Sequence, residues 1–136
     1  LTKGEGFGRP LLEFSLTGKP IIASGWSGHI DFLNKEFVTL LSGNLENVHP
    51  SAANQWLIKE ARWFAPNTDE ASKAFREIFK HYKKYLSMSK RQKYHAKKNF
   101  SWEKMNEFFQ QELSETLPEF PKRVELNLPK LNVPKL

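Results

Sequence analysis

The sequence predicts an α/β fold with a short parallel sheet, followed by helices and an extended tail. Three observations carry this. A glycine-rich loop leads into a short amphipathic helix and then into a β-branched run, the order that parallel strands require. Apolar residues then recur at helical spacing through most of residues 68–114. From residue 117 onward Pro118, Pro121, Pro129 and Pro134 forbid helix. Only two or three strands are visible, too few for a complete doubly wound domain. The chain also starts at Leu1, without Met, one step from a functional-looking loop, so a piece of a longer protein is expected.

The first helix is expected over residues 9–16. Pro10 suits a first turn, where its missing N–H has no partner to lose. Leu11, Leu12, Phe14 and Leu16 supply the apolar face, and Gly18 stops it. "KPIIAS" (residues 19–24) reads as a buried parallel strand. "GWSGH" (25–29) is a loop, and "HIDFL" (29–33) one short helix. "EFVTLL" (36–41) is a second strand, closed by Ser42-Gly43-Asn44. Residues 56–58 and 62–64 read as strand or extended segments. Thr68 or Asp69 is expected to cap a helix running to about Leu86, with Ala71, Ala74, Phe75, Ile78, Phe79 and Tyr82 in phase. Ser87-Met88-Ser89 is expected to break it before a helix over residues 90–98. Ser101 caps the last helix, over 102–114, with Met105, Phe108, Phe109 and Leu113 on one face. The tail repeats "LPKLN" and "VPKL", and Val124, Leu126 and Leu128 alternate as one short strand would.

Composition narrows the function classes. The chain has 136 residues, one domain's worth, and 39% apolar content suffices for a core. No run of about 18 apolar residues exists, so no transmembrane helix is expected. Lys3 is followed by glycines rather than an apolar block, so no secretory leader is expected there. Cysteine is absent, which excludes disulfides and thiolate metal sites and fits a cytoplasmic protein. His29, His49, His81 and His95 lack metal-ligand spacing, so no metal is expected. The whole chain carries +6, yet residues 71–104 hold eleven Lys or Arg against Glu77 and Glu103, a local +9. An anionic membrane surface is therefore a candidate partner. Nucleic acid is not expected, because no RNA-binding motif of the K/R-G-F/Y-G kind is present.

The chemistry concentrates in "GEGFGRPLLE" (residues 4–13). Glycines let backbone approach a ligand closely. The amides of Gly6, Phe7 and Gly8 precede a helix start, which attracts a phosphate or pyrophosphate, and Arg9 adds charge. Three familiar phosphate loops fail. No Lys-Ser/Thr follows Gly8, against the P-loop pattern. In the dinucleotide fingerprint the third glycine stands one place later than Gly8. A kinase loop leads to a strand, whereas here a helix follows. What remains is a glutamate on each side, Glu5 and Glu13. A carboxylate accepts two hydroxyl hydrogen bonds at once, as a sugar diol presents them. A phosphate-binding helix start flanked by two diol readers suits a nucleotide-sugar.

"EGFGRPLLE" followed by "GKPIIAS" resembles the C-terminal nucleotide-binding half of GT-B glycosyltransferases that carry the E-x7-E motif, and "FSWEKMNEFF" (residues 100–109) resembles their closing helix. The resemblance implies a partial Rossmann-like C-terminal domain over residues 1–116, with 117–136 as an extended Pro/Lys/Leu-rich tail. It implies a glycosyltransferase of the hexosyltransferase type. Glu5 would be the catalytic carboxylate facing the transferred sugar's hydroxyls. Gly6, Phe7 and Gly8 would offer amides to the donor diphosphate, and Glu13 would hold the ribose hydroxyls. The donor would be a nucleotide-diphospho-sugar, with no cofactor or metal, and the configuration would be retained. The family's Gly-Gly and Pro-Glu after the Ala-Ser strand are replaced here by "GWSGHIDFL", in which Trp26 is expected to pack rather than stack on sugar. The acceptor-binding N-terminal domain and the strands bearing the family's Arg/Lys pair are not in this sequence, so inactivity is expected of it in isolation. Alternatives are a non-catalytic relative that only binds, and a basic helical module for RNA or an anionic membrane.

Overall fold

Helix α1 (Arg9–Ser15) begins where Pro10 places it, and the chain leaves it through Gly18, which stands at φ 70°. In the computed structural model, which describes residues 1–118, it is followed by strand β1 (Ile22–Ser24), a 3-10 turn (Gly28–Asp31) and strand β2 (Thr39–Leu41). β1 and β2 pair in parallel, with Ile22 opposite Thr39 and Ser24 opposite Leu41. Both strands are shorter than the β-branched runs suggest. Pro20 cannot donate to a ladder. The amides of Phe37 and Val38 are taken up by the carbonyl of Asn34, at 2.9 and 3.1 Å, so that stretch is a turn.

Ser42-Gly43-Asn44 does not close the β region as expected. The chain runs on into β3 (Gly43–Asn47), which pairs antiparallel with β4 (Arg62–Pro66). Leu45 faces Phe64 across this second two-stranded sheet. Residues 62–64 are thus strand, while residues 56–58 lie in the connection between β3 and β4.

Helix α2 (Thr68–Lys80) is capped one residue earlier than expected. Asn67 Oδ1 accepts from the Glu70 amide at 2.9 Å, and Thr68 and Asp69 are the first helical residues. The break after it falls at His81 (φ −117°, ψ 35°), not at Ser87-Met88-Ser89. Helix α3 (Tyr82–Asn99) passes straight through those three residues. Ser89 is buried there, and its hydroxyl donates back to the Tyr85 carbonyl at 2.8 Å, which satisfies it inside a helix. Helix α4 (Trp102–Thr116) carries the expected Ser101 cap, with the Lys104 amide at 3.2 Å from its oxygen. Its apolar face is not buried: Met105, Phe108 and Phe109 are exposed. The described residues therefore form a mixed α/β arrangement of two short sheets and four α-helices. The alternating stretch around Leu126 lies outside the described residues.

The core lies under the parallel pair. Ile21, Ala23, Phe32, Leu33 and Val38 form it, and Leu11, Leu12, Leu40 and Phe100 pack on it. A fully buried Gln92 ties α3 to the segment after β1. Its amide nitrogen donates to the Phe32 carbonyl at 2.8 Å, and its oxygen accepts from the Asn34 amide at 3.0 Å. Both ends of this buried amide are satisfied, which makes it a directional staple rather than a burden.

Candidate functional site

Two loops meet at the carboxyl end of β1, where open α/β sheets place their ligands. One is the glycine loop (residues 4–8), the other the loop from Gly25 into the 3-10 turn. Ser27 clasps them. Its hydroxyl oxygen accepts from the Glu5 amide at 2.8 Å and donates to the Glu5 carbonyl at 2.6 Å. The Gly28 amide donates to the same carbonyl at 3.2 Å. Ser27 holds this position at φ 80°, ψ −175°, a conformation that costs a non-glycine residue about 1–3 kcal/mol. Gly28 has no alternative residue type: an added Cβ would overlap the Gly6 carbonyl oxygen and lie 2.9 Å from Phe7 Cα. Gly8, at φ 80° and ψ 41°, turns the chain into α1, and a Cβ there would sit 3.0 Å from that of His29.

The expected site residues are distributed as follows. Glu5 is half-buried and borders a cavity of about 360 Å³, together with Gly8, Ser24 and His29. The rest of that wall is largely apolar, from Pro10 and Phe14 of α1 and Ile22 of β1. Among the described residues, no hydrogen bond uses the amides of Gly6, Phe7 and Gly8. They are the donors a phosphate needs. The Phe7 side chain has a separate task. Its ring lies 5.3 Å from Phe32 and 6.3 Å from Phe100, and so pins the loop to the core.

Glu13 does not border the cavity. It projects from the exposed side of α1 and pairs with Arg9, Nε to Oε1 at 2.8 Å. Such an exposed pair contributes about 0.2–1 kcal/mol. It can be exchanged for a better partner at small cost. Trp26 stacks on Phe64 of β4 at 6.0 Å and 8° between planes, the packing expected of it.

Sequence reasoning missed Ser27, His29 and the part played by Phe100. Ser27 is unremarkable in "GWSGH", and only its conformation reveals its function. His29 is buried; its Nε2 lies 2.6 Å from the Ser24 carbonyl, while Nδ1 has no partner. With a proton on Nε2, that ring orients the end of β1 against the glycine loop. Phe100 opens "FSW" and touches Phe7 of "EGFG" through the ring pair above, so the two stretches that carry the resemblance are in contact.

Among the described residues no group of three or more His, Asp or Glu could hold a metal ion, and no helix is long and apolar enough to cross a membrane. Comparison with protein-family models, with curated proteins and with solved structures finds no match.

Proposed function

We propose that this chain is the donor-binding part of a glycosyltransferase of Rossmann-like architecture, and that its glycine loop holds a nucleotide-diphospho-sugar. The observation that carries this reading is the clasp itself. Ser27 and Gly28 hold a loop whose amides at Gly6, Phe7 and Gly8 are unengaged among the described residues, beside the carboxylate of Glu5, at the carboxyl end of a parallel strand. Backbone donors fixed before the ligand arrives suit a diphosphate, and a carboxylate beside them suits the hydroxyls of a sugar.

In the reaction the anomeric carbon–oxygen bond breaks with its electron pair on the diphosphate. The amides face the charge that develops there. The oxygen of an acceptor hydroxyl forms the new bond to the anomeric carbon and passes its proton to the departing diphosphate oxygen. Glu5 holds the sugar's hydroxyls and so fixes the ring against the acceptor. Glu13 exchanges Arg9 for the ribose diol, and the released guanidinium is near enough to the helix start to add charge for the diphosphate. Transfer needs an acceptor-binding domain besides this one. Retention and metal independence follow the family that the glycine loop resembles.

Sugar transfer and donor hydrolysis by the protein, with its acceptor domain, test this with Glu5→Gln and Glu13→Gln. Loss of one charge-assisted hydrogen bond, about 1.5–3 kcal/mol, lowers kcat/KM by about 10-fold to 150-fold for Glu5→Gln. Glu13→Gln raises KM with a smaller effect on kcat. Unchanged kinetics in both variants would refute the assignment, and donor binding without turnover would support a module that only binds.

A further inference from the structure

Helix α3 carries three adjacent pairs of cations at seven-residue intervals: Lys83-Lys84, Lys90-Arg91 and Lys97-Lys98. Seven residues are nearly two turns, so the pairs return to one side of the helix about 10.5 Å apart. All six side chains are exposed, while Ser89, Gln92 and Ala96 bury the opposite side. The 18-residue helix contains no Asp or Glu, and among the described residues none of its cations forms an ion pair. A solvated face needs no such regularity, and ordinary surfaces intersperse both signs.

The middle pair and Lys98 of the last pair border a groove of about 630 Å³ lined by Phe37, Lys90, Arg91, Tyr94, His95 and Lys98 among others, none of them a carboxylate. The Arg91 guanidinium lies 4.3 Å above the Phe37 ring, which restrains it while its edge stays open to an acceptor. Asn99 Nδ2 lies 3.1 Å from His95 Nδ1 and steadies the floor of the groove.

From this arrangement we infer a docking face for an anionic phospholipid bilayer, independent of the sugar-nucleotide site, with the Phe37 groove receiving a lipid phosphate. Three observations favour a bilayer over RNA. The cations run straight along one helix, which matches a plane of headgroups. Large apolar side chains stand out beside both ends of α3: Phe79 is 86% exposed and Trp102 82% exposed, the kind that enters a membrane interface. On the cationic stripe itself only the Tyr94 ring is displayed, and single-stranded nucleic acid is held by several stacking rings.

The test is sedimentation of the full chain with phosphatidylcholine vesicles, with and without one-third phosphatidylserine, at about 50 mM and about 500 mM salt. Binding to the serine-containing vesicles at low salt, lost at high salt, is expected. Each cation near an anionic surface is worth about 1 kcal/mol, so Lys90→Ala/Arg91→Ala/Lys98→Ala weakens partitioning on the order of 100-fold. Lys19→Ala/Lys35→Ala/Lys59→Ala removes the same charge elsewhere and is expected to cost under about tenfold, with helicity of both variants checked by circular dichroism. No binding of the wild-type chain at low salt, equal binding to pure phosphatidylcholine, equal losses in the two triple variants, or displacement by poly(U) at lower phosphate concentration than lipid would each overturn the inference. The wild-type arm decides even where a variant does not fold.

Discussion

Replacing Gly28 by Ala isolates the contact that holds the two loops together. Gly28 has no positive φ, so Ala meets no backbone penalty. The obstacle is space alone. The new methyl group would overlap the Gly6 carbonyl oxygen and press on Phe7 Cα at 2.9 Å. Both are backbone atoms, and neither can swing aside as a side chain would. The glycine loop must therefore move as a unit, which strains the hydrogen bonds joining Glu5 to Ser27 and Gly28. Overpacking of this kind costs about 1–3 kcal/mol. For a chain of this size that lowers the melting temperature by about 4–12 °C. Gly6→Ala is the matched control. Its Cβ would meet nothing within 4 Å, and its φ is not positive, so it leaves stability within about 0.5 kcal/mol. Thermal unfolding followed by circular dichroism reads both. Equal melting temperatures for Gly28→Ala and Gly6→Ala would refute the clasp, whatever either variant does to ligand binding.

Phe100→Ala opens the ring cluster with Phe7 and Phe32 and, for a half-buried ring, costs about 2–3 kcal/mol; it also loosens the glycine loop, read as faster amide exchange at the hydrogen-bonded amides of Glu5 and Gly28. Gln92→Ala strands the Phe32 carbonyl and the Asn34 amide, at about 1–3 kcal/mol each, and urea unfolding should show a loss of about 2–6 kcal/mol. The Glu70 carboxylate accepts from the Ser42 hydroxyl at 2.6 Å and from the Ser42 amide at 2.8 Å, and these bonds hold its pKa below the ordinary glutamate value of 4.5. A lowered folded pKa gives stability that is complete above the unfolded value and lost as pH falls through the folded one. The wild type should thus lose stability between pH 4.5 and lower values more steeply than Glu70→Gln, and parallel curves would contradict this.

Legibility in the sequence tracks how local each cause is. Pro10 and Gly18 mark α1 from within the helix, and Ser101 marks α4 through its own hydroxyl. The β-branched run around Ile22 locates β1, although its length depends on which amides the partner strand can reach. The β3–β4 sheet leaves little trace, because Gly43–Asn47 contains one large apolar residue, Leu45, and no alternation. The junction at His81 carries no glycine or proline, while Ser87-Met88-Ser89 imitates a break that burial of Ser89 and Gln92 overrides. At the site, Glu5 and the glycines are visible by type and spacing. Ser27 is not, since its clasp spans 22 residues and needs a strained φ. The difference in setting between the two flanking glutamates is not legible either: Glu5 borders the cavity, whereas Glu13 lies on the exposed side of α1 and pairs with Arg9.

We propose that the glycine loop binds diphosphate through its backbone and sugar through Glu5. Calorimetric titration of wild type and Glu5→Gln, with a nucleoside diphosphate and with its sugar conjugate, separates the two contributions. Glu5→Gln should weaken binding of the sugar conjugate by about 10-fold or more and leave the plain diphosphate unchanged. Equal affinities of wild type and variant for the sugar conjugate, or equal losses for both ligands, would contradict it.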